Sequence, residues 1–390
     1  MKILIVNRAL GTLFGGGESF DINAARYLSA RGHQVSVLTG KPLWGQPVNR
    51  FPDVEVIYLR TPALRKYAYA TQNWSSKVSA AFYHLDNLFF EVAAYRWICR
   101  QTDAKPDVIQ CCSLFSLPAW LLRKGHQAVV SWLPGPPSGL IRKRLRHLIR
   151  APHFGLYTHG SPEWSLKEMG FERQRDYRTI GPGVELQRIS QTPSARLALR
   201  EKLKIPQDAL LGVTTARLIP IKNHTLLFRA IEMAKQRGIQ WHWLIVGNGP
   251  LQTVLEQEVL KMGIEHQVHF LGYQTQEDVH RYLTAADLFG LSSQYENFSI
   301  ATLEAMGHGL ACFGTDVGYL RHLIQDTGAG MVTPVDDASS MSEMLVTMAD
   351  PACRQAFGEC GQTFVQSLDW PSVARDLECL FADVIRGRRA

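Results

Sequence analysis

Short apolar runs alternate with longer amphipathic stretches along the chain, a pattern that predicts parallel strands connected by helices. The first run, residues 2–7, is apolar at most positions, as in a strand buried on both faces of a sheet. The next stretch, 18–31, is amphipathic and ends at Gly32, which is typical of a helix C-terminus. Further strands are predicted at 34–39, 54–59, 108–112 and 128–132, and a long aromatic helix at 76–101.

The alternation starts again near residue 208. It predicts strands at 210–216, 241–246, 268–271, 287–291, 310–314 and 330–332, and helices at 225–238, 251–262, 278–286, 299–308 and 371–386. An irregular segment rich in Gly and Pro, 181–194, lies between the two series and predicts a linker. The fold class is therefore α/β with two Rossmann-like domains, 1–188 and 189–370, followed by a C-terminal helical segment, 371–390.

Composition agrees with a two-domain globular enzyme or binding protein. The chain has 390 residues, a length that exceeds what one hydrophobic core normally supports. Its residues are 46% hydrophobic and 20% charged, as is ordinary for a globular protein. Seven Cys without a CxxC pair predict neither a disulfide framework nor a zinc site. The apolar start is short for a signal peptide, and no stretch approaches the roughly 20 apolar residues that span a bilayer. We therefore expect a cytoplasmic protein whose membrane contact, if any, is peripheral.

The charge is uneven. Residues 1–185 hold 24 Lys and Arg against 13 Asp and Glu, a net charge of +11, whereas the remainder has a net charge of −4. A basic first half suggests phosphate groups, an anionic membrane surface or nucleic acid as partner, although a generically basic protein gives the same balance. Nucleic acid is not expected, because the basic region is short and lies on no recognised nucleic-acid module.

Two carboxylates carry the most specific chemistry. Glu296 lies on a predicted loop, and Glu304 lies inside the helix that follows, with seven residues between them. A loop carboxylate can accept sugar hydroxyls, and a helical one can accept both hydroxyls of a ribose. The free N–H groups at the helix start, around Asn297, Phe298 and Ser299, suit a phosphate. The pair therefore outlines a nucleotide-sugar site, although the same spacing also arises by chance.

Two cations and several glycines add to this outline. Arg217 and Lys222 follow the first strand of the second series, where open α/β sheets bind ligands, and could neutralise a leaving diphosphate without a metal. They could equally be solvated loop cations.

Glycines permit close approach of a ligand to the backbone. Candidate positions are Gly16 and Gly17 in the run Gly15 to Gly17, Gly247 and Gly249 in one turn, and Gly272 in another.

Together these segments resemble retaining glycosyltransferases of family 4, which have the GT-B fold and a Glu-x7-Glu motif. The resemblance implies two Rossmann-like domains facing a central cleft, with the last helix crossing back to the first domain. It also implies hexosyl transfer, with retention, from a UDP- or GDP-sugar to a glycan acceptor. Glu296 would orient the sugar, Glu304 would bind the ribose, and Arg217 and Lys222 would stabilise the departing diphosphate. No metal or cofactor is expected.

The sequence departs from the family pattern in two places. Tyr319 and His322 replace a Gly and a Glu after the Glu-x7-Glu helix. The loop at 130–137 lacks the His that many relatives carry there, so we expect Trp132 to shape an acceptor pocket instead. His159 could substitute in space, although a structural histidine is the simpler interpretation.

A basic amphipathic stretch, 137–150, is the candidate acceptor or membrane side. Arg142, Arg144 and Arg146 lie beside an apolar stripe at helical spacing, which suits a membrane surface or an acidic acceptor. A packed helix with a solvated basic face has the same pattern.

The best interpretation of the acceptor is a lipid-linked glycan of a surface polysaccharide. A catalytically silent nucleotide-sugar-binding protein, a GT-B epimerase and a phosphorylase stay open as alternatives, as do the donor base, the sugar, the linkage and the oligomeric state.

Overall fold

A computed structural model describes residues 1–12, 16–43, 51–62, 64, 76–101, 105–112, 116–125, 128–137, 139–160, 163–185 and 193–387. The chain divides into two compact units: Met1–Gly183 with Trp370–Ala390, and Val184–Asp369. The boundary expected at 188/189 lies outside the described residues. The division falls earlier, because Val184 pairs with Asp369 in an isolated parallel bridge and so belongs with the second unit.

The first unit is built on a seven-stranded parallel sheet in the order β3-β2-β1-β4-β5-β6-β7. Its strands are β1 (Lys2–Asn7), β2 (Gln34–Pro42), β3 (Glu55–Thr61), β4 (Val108–Cys112), β5 (Val129–Leu133), β6 (Phe154–Thr158) and β7 (Arg178–Thr179). The helices that follow them in the chain are α1 (Gly16–Ala30), α2 (Ser76–Arg100), α3 (Ser116–Arg123), α4 (Gly139–Leu148) and α5 (Glu163–Glu168).

The second unit is built on a six-stranded parallel sheet in the order β10-β9-β8-β11-β12-β13. Its strands are β8 (Leu210–Thr215), β9 (Trp241–Val246), β10 (Val268–Gly272), β11 (Leu288–Leu291), β12 (Ala311–Thr315) and β13 (Gly330–Thr333). Its helices are α6 (Pro193–Lys202), α7 (His224–Gln236), α8 (Gln252–Lys261), α9 (Gln276–Ala285), α10 (Ile300–Gly307), α11 (Ala338–Thr347) and α12 (Pro351–Val365).

The last helix, α13 (Trp370–Ile385), belongs to the first unit although it follows the second in the chain. Its apolar face, which includes Trp370 and Leu377, is buried in the core that β1, β5 and α1 share. The ring of Trp370 stacks on Tyr27 of α1 with centroids 5.6 Å apart. Arg31 adds a bidentate ion pair to Glu378, so the helix is fixed by apolar burial and by charge.

The strands predicted from apolar runs are confirmed in both units, within three residues at their ends. Strands β6 and β7 were not predicted. All five residues of β6 are buried, including Tyr157 and Thr158. So short a run does not show whether its apolar residues repeat with the period of a strand or of a helix. Burial on both faces explains the apolar character of the central strands and leaves their carboxyl ends as the edge where polar loops gather.

Candidate functional site

An ion pair lies at the point where the order of strands in the second sheet reverses. This topological switch point falls between β8 and β11, and open α/β sheets bind ligands outside such a point. Lys222 ends the 3-10 turn that follows β8, and Glu296 lies on the loop that follows β11. Lys222 Nζ donates to Glu296 Oε1, and Ser293 Oγ donates to the same oxygen at 2.8 Å. The structure therefore brings together two of the residues that the sequence assigned to donor chemistry.

The pair is largely shielded from water. The side chain of Lys222 is 19% exposed and that of Glu296 is 10% exposed. Shielding strengthens the attraction beyond that of a surface pair, and it also makes either charge costly to leave alone. A ligand that enters here must therefore supply replacement charge or hydrogen bonds.

Backbone contacts hold the two loops together. Gln294 N donates to Ile221 O at 2.8 Å, and Ser292 Oγ donates to Lys222 O at 3.1 Å. Thr315 Oγ1 at the end of β12 donates to Ser293 O. The positions of Lys222 and Glu296 are therefore set by main-chain geometry as well as by their mutual attraction.

Gly318 lies directly against the loop that carries Glu296. It has a φ of +53°, and a Cβ built there would lie 1.6 Å from Glu296 O. Only glycine fits such a contact, because any side chain would displace the Glu296 backbone. Sequence analysis did not predict this contact, which determines how close the loop after β12 comes to the candidate site.

Helix α10 begins beside Glu296. Ser299 has a φ of +72°, and its side chain accepts a hydrogen bond from Thr302 N at 3.3 Å, which caps the helix. Asn297 Oδ1 accepts from the hydroxyl of Tyr295 at 2.6 Å. Phe298 is buried, and its ring stacks on Tyr319 with centroids 5.0 Å apart. Tyr319, which departs from the family pattern, therefore packs against the Glu296 loop.

Glu304 lies on α10, facing α9. Its Oε1 accepts from Gln276 Nε2 at 2.6 Å. The pKa of this carboxyl is raised to about 7, mainly by burial; the hydrogen bond from Gln276 opposes the rise, and the charge of Glu185 adds to it. The side chain is half-buried, which leaves it within reach of a ligand that covers this part of the helix.

Arg217 is exposed immediately after β8, and two glycines shape the loops around it. A Cβ at Gly247 would lie 2.0 Å from Ala216 O, and one at Gly249 would lie 2.3 Å from Leu218 O. Glycine is needed at both positions because the loop after β9 lies against the backbone after β8. Gly272 differs: it has a φ of +68° and open space at its Cβ position.

Sequence reasoning missed three polar residues of this region. Ser293 and Gln276 hold the two carboxylates, and neither belongs to a recognisable motif. His224 follows the turn that ends at Lys222 and is 2% exposed. Burial, with the charge of Lys222 as the smaller cause, lowers the pKa of His224 to about 4, so its imidazole is neutral at pH 7.

In the first unit, the glycine run meets an aromatic cluster. Gly15 lies outside the described residues, and helix α1 begins at Gly16. A Cβ at Gly17 would lie 3.3 Å from the ring of Trp132. Trp132 is 2% exposed and contacts the rings of Phe20 and Tyr157. Because neighbouring aromatic rings enclose it, Trp132 is a core side chain. This differs from the expectation that Trp132 shapes an acceptor pocket.

His159 joins the same cluster and behaves as a structural histidine. Its ring lies 4.7 Å from that of Trp132, and its Nδ1 donates to Ile180 O at 2.6 Å. Burial lowers the pKa of His159 to about 4. A neutral imidazole that is fixed to the backbone fits the simpler interpretation of this residue.

A buried carboxyl lies at the switch point of the first sheet. Asp21 of α1 accepts from Asn7 Nδ2 at 2.6 Å, at the end of β1, and from Gln110 Nε2 at 2.9 Å, in the neighbouring strand β4. Burial raises the pKa of Asp21 to about 7. The network fixes the start of α1 against the sheet.

The basic helix α4 is packed on one side. Leu145 and Leu148 of its apolar stripe are buried in the core of the first unit. Arg142 Nη2 donates to Ser165 Oγ and to Glu168 Oε2, both at 3.0 Å, and Arg144 Nη1 donates to Ser116 Oγ at 2.5 Å. Arg146 is exposed. The exposed surface of α4 is therefore its basic face.

Within the described residues, no helix combines the length and apolar character needed to cross a bilayer. The same residues contain no group of three or more His, Cys, Asp or Glu side chains arranged to hold a metal ion.

Comparison with known proteins identifies the class of the fold. Sucrose-phosphate synthase of Thermosynechococcus elongatus superimposes with a TM-score of 0.77 at 20% identity, covering 99% of each chain. HepE of Anabaena, solved in complex with UDP and glucose, gives a TM-score of 0.74 at 18% identity over 98% of this chain and 99% of that one. The fold is therefore that of the GT-B glycosyltransferases, with two parallel-sheet Rossmann-like units.

Sequence comparison is more specific for the second unit. Residues 195–362 match the model of the family Glycosyl transferases group 1. The D-inositol 3-phosphate glycosyltransferase of Saccharomonospora viridis is 29% identical over 203 residues, 50% of this chain and 47% of that protein. A Campylobacter jejuni N-acetylgalactosamine-N,N'-diacetylbacillosaminyl-diphospho-undecaprenol 4-alpha-N-acetylgalactosaminyltransferase is 28% identical over 195 residues, 50% of each. The chain thus spans about half the length of these curated relatives.

Proposed function

We propose that the chain is a retaining glycosyltransferase of family 4 that moves a hexosyl unit from a UDP- or GDP-sugar to a lipid-linked glycan acceptor in surface polysaccharide biosynthesis. The observation that carries the proposal is the shielded Lys222–Glu296 pair at the switch point of the second sheet. Glu304 lies on the helix that starts beside it. The relative that acts on a diphospho-undecaprenol glycan and the neighbour that binds UDP support the acceptor and donor classes.

In the proposed mechanism the second unit stabilises the leaving diphosphate. Lys222 donates to the diphosphate as well as to Glu296, and Arg217, which follows the same strand β8, adds a second positive charge. Glu296, which Ser293 orients, accepts from hydroxyls of the hexose, and Glu304 accepts from the ribose. The acceptor hydroxyl attacks the anomeric carbon from the leaving-group side, the bond to the diphosphate breaks, and the diphosphate takes the proton. No protein nucleophile is required, because the catalysis is electrostatic.

A binding experiment tests the donor part of the proposal. UDP, GDP, ADP and dTDP are each added to the wild type, to Glu304→Ala and to the control Glu256→Ala, and thermal unfolding is measured. Ligand at about 100 times its Kd adds roughly 2.7 kcal/mol to the free energy of unfolding. We expect stabilisation by one nucleotide in the wild type and the control, and none in Glu304→Ala. Equal stabilisation of Glu304→Ala would remove the ribose assignment, and no stabilisation by any nucleotide would contradict the donor class.

Transfer itself separates an enzyme from a catalytically silent binding protein. Lipid-linked acceptors are offered with the sugar of the stabilising nucleotide, in the presence and absence of EDTA. We expect transfer that EDTA does not change, since Arg217 and Lys222 supply the positive charge that a metal would otherwise provide. Loss of activity that Mg²⁺ or Mn²⁺ restores would contradict the metal-free mechanism. Donor binding without turnover on any acceptor would favour the silent alternative.

The acceptor side is proposed to meet the inner face of a membrane through the positive charge of α4. The stripe containing Leu145 is buried, so only the basic face of α4 can meet anionic headgroups. Each Lys or Arg near such a surface is worth about 1 kcal/mol. Reversal of Arg142, Arg144 and Arg146 to Glu should therefore weaken binding to phosphatidylglycerol vesicles. Reversal of the exposed Lys202, Lys235 and Lys261 in the second unit is the control, and equal effects would contradict the assignment.

A further inference from the structure

A cavity of about 400 Å³ lies between helices α3 and α4 of the first unit. Its apolar lining consists of Ala119, Trp120, Leu122, Leu148 and Ala151. The volume falls within the roughly 300–1,000 Å³ of ordinary ligand pockets. An apolar concavity of this size suits a hydrocarbon chain, because every methylene that leaves water for it lowers the free energy.

Ser116 and three cationic or hydrogen-bond-donating side chains complete the lining: Arg123, Arg144 and His147. All three are exposed on the surface side, whereas the apolar residues are partly or fully buried. Arg144 uses one guanidinium nitrogen on Ser116, which leaves further donors of its planar fork. The lining residues include no carboxylate. An anion beside the mouth of the cavity would therefore meet donors and positive charge only.

We propose that this cavity binds the phosphate and the adjoining hydrocarbon of a lipid phosphate, the part of the acceptor that carries the glycan. The phosphate lies against Arg123 and Arg144, which can bind it through paired N–H groups, and the first carbons of the chain lie against Trp120 and Leu148. The inference rests on the lipid-linked acceptor of the proposed function and adds where its lipid binds. A single concave site favours one chain of an individual lipid over the flat face of a bilayer.

Calorimetry with three probes tests the chemistry of the site. Octyl phosphate has both the chain and the anion, octyl glucoside has the chain alone, and inorganic phosphate has the anion alone. We expect measurable binding of octyl phosphate and at least tenfold weaker binding of the other two. Across alkyl phosphates of four to ten carbons, the affinity should rise by up to about fourfold per methylene until the cavity is full. Equal affinity for inorganic phosphate, or for octyl glucoside, would overturn the proposal.

Two variants and a matched control locate the binding. Ala119→Leu fills the apolar cavity, and Arg144→Gln removes one charge at its mouth. Lys143→Gln removes a charge from the adjacent, exposed position of α4, outside the lining. We expect Ala119→Leu to abolish binding of octyl phosphate, Arg144→Gln to weaken it about fivefold, and Lys143→Gln to change it less than twofold. Unaltered binding in both Ala119→Leu and Arg144→Gln would place the ligand elsewhere and overturn the inference.

Stabilisation by the nucleotide is measured on the same samples, which separates the two proposals. The nucleotide is expected to bind the second unit, so Ala119→Leu should keep its stabilisation by the nucleotide. Nucleotide binding without binding of octyl phosphate would overturn the lipid site alone. Binding of octyl phosphate without any nucleotide would instead count against the glycosyltransferase proposal and leave the cavity as a lipid-phosphate site.

Discussion

At the scale of single residues, loss of the charge of Lys222 is expected to lower both the rate of transfer and the free energy of unfolding. Lys222→Met keeps the alkyl chain and removes the charge, so the diphosphate loses its stabiliser and kcat should fall by about 10²- to 10³-fold. Glu296 would be left as a shielded carboxylate without its cation, which lowers the free energy of unfolding as well. Steady-state kinetics and denaturant unfolding measure the two effects.

The double variant Lys222→Met, Glu296→Gln distinguishes these causes. It removes both charges, so it should recover stability towards the wild type while transfer stays lost. Lys261→Met, at an exposed position of α8, serves as the control for loss of a lysine charge. Recovery of transfer in the double variant would contradict a direct role for Lys222.

The raised pKa of Glu304 predicts how stability depends on pH. The pKa of Glu304 is about 7 in the folded chain, against an ordinary value of 4.5 for a glutamate. Below pH 4.5 the carboxyl is protonated in both states. Between pH 4.5 and about 7 the unfolded chain releases its proton first, so the free energy of unfolding falls as pH rises. Relative to Glu304→Gln, the wild type should lose on the order of 1–3 kcal/mol over this interval. If the difference in the free energy of unfolding between the wild type and Glu304→Gln were constant across pH, burial would not perturb the pKa of this carboxyl.

At the scale of elements, two glycines with left-handed backbones allow a matched comparison. Gly318 has a φ of +53° and Gly272 a φ of +68°. Of the two, only Gly318 lies against another backbone: a Cβ built there would be 1.6 Å from Glu296 O. Gly272→Ala should cost only the conformational strain, about 1–2 kcal/mol. Gly318→Ala must also displace the Glu296 loop, so a larger loss of stability is expected together with a loss of transfer.

Unfolding and transfer assays on both variants check this expectation. If Gly318→Ala destabilised the chain no more than Gly272→Ala and kept its transfer activity, the contact with Glu296 would have no functional weight. The comparison is informative because the backbone conformation is nearly shared and only the packing at the Cβ position differs.

The elements themselves were largely readable from the sequence, because buried parallel strands appear as continuous apolar runs. The contacts between loops were not. Gly247 and Gly249 fit a ligand-binding turn by sequence, yet their Cβ positions are filled by the backbone of Ala216 and Leu218. The basic stripe of α4 could be read as a membrane helix or a packed one, and only the burial of Leu145 decides that its apolar side is packed. Local patterns do not specify which neighbour covers a face.

The candidate site was predictable to the extent that it lies at strand ends. Lys222 and Glu296 each follow a strand, and the adjacency of β8 and β11 brings them together. Ser293 and Gln276 could not be predicted as their partners, because a lone polar residue in a loop or on a helix has many possible contacts. Trp132 was misplaced for a similar reason: its burial depends on Phe20 and Tyr157, which are distant in sequence.

At the scale of the whole molecule, the first unit is completed by the last helix of the chain. Leu377 of α13 is fully buried in the core of that unit. Leu377→Ala removes its side chain from a packed site, which typically costs about 2–5 kcal/mol. Because the second unit has separate cores, we expect the loss to fall on the unfolding of the first unit alone.

Two measurements on one protein test this expectation. Thermal unfolding of Leu377→Ala should show an earlier transition for the first unit, while stabilisation of the second unit by its nucleotide persists. Leu260→Ala, at a position 63% exposed on α8, is the matched control and should change stability by less than about 0.5 kcal/mol. If Leu377→Ala instead lowered both transitions equally, the two units would unfold as one cooperative body, and the last helix would stabilise the whole chain rather than the unit whose core it completes.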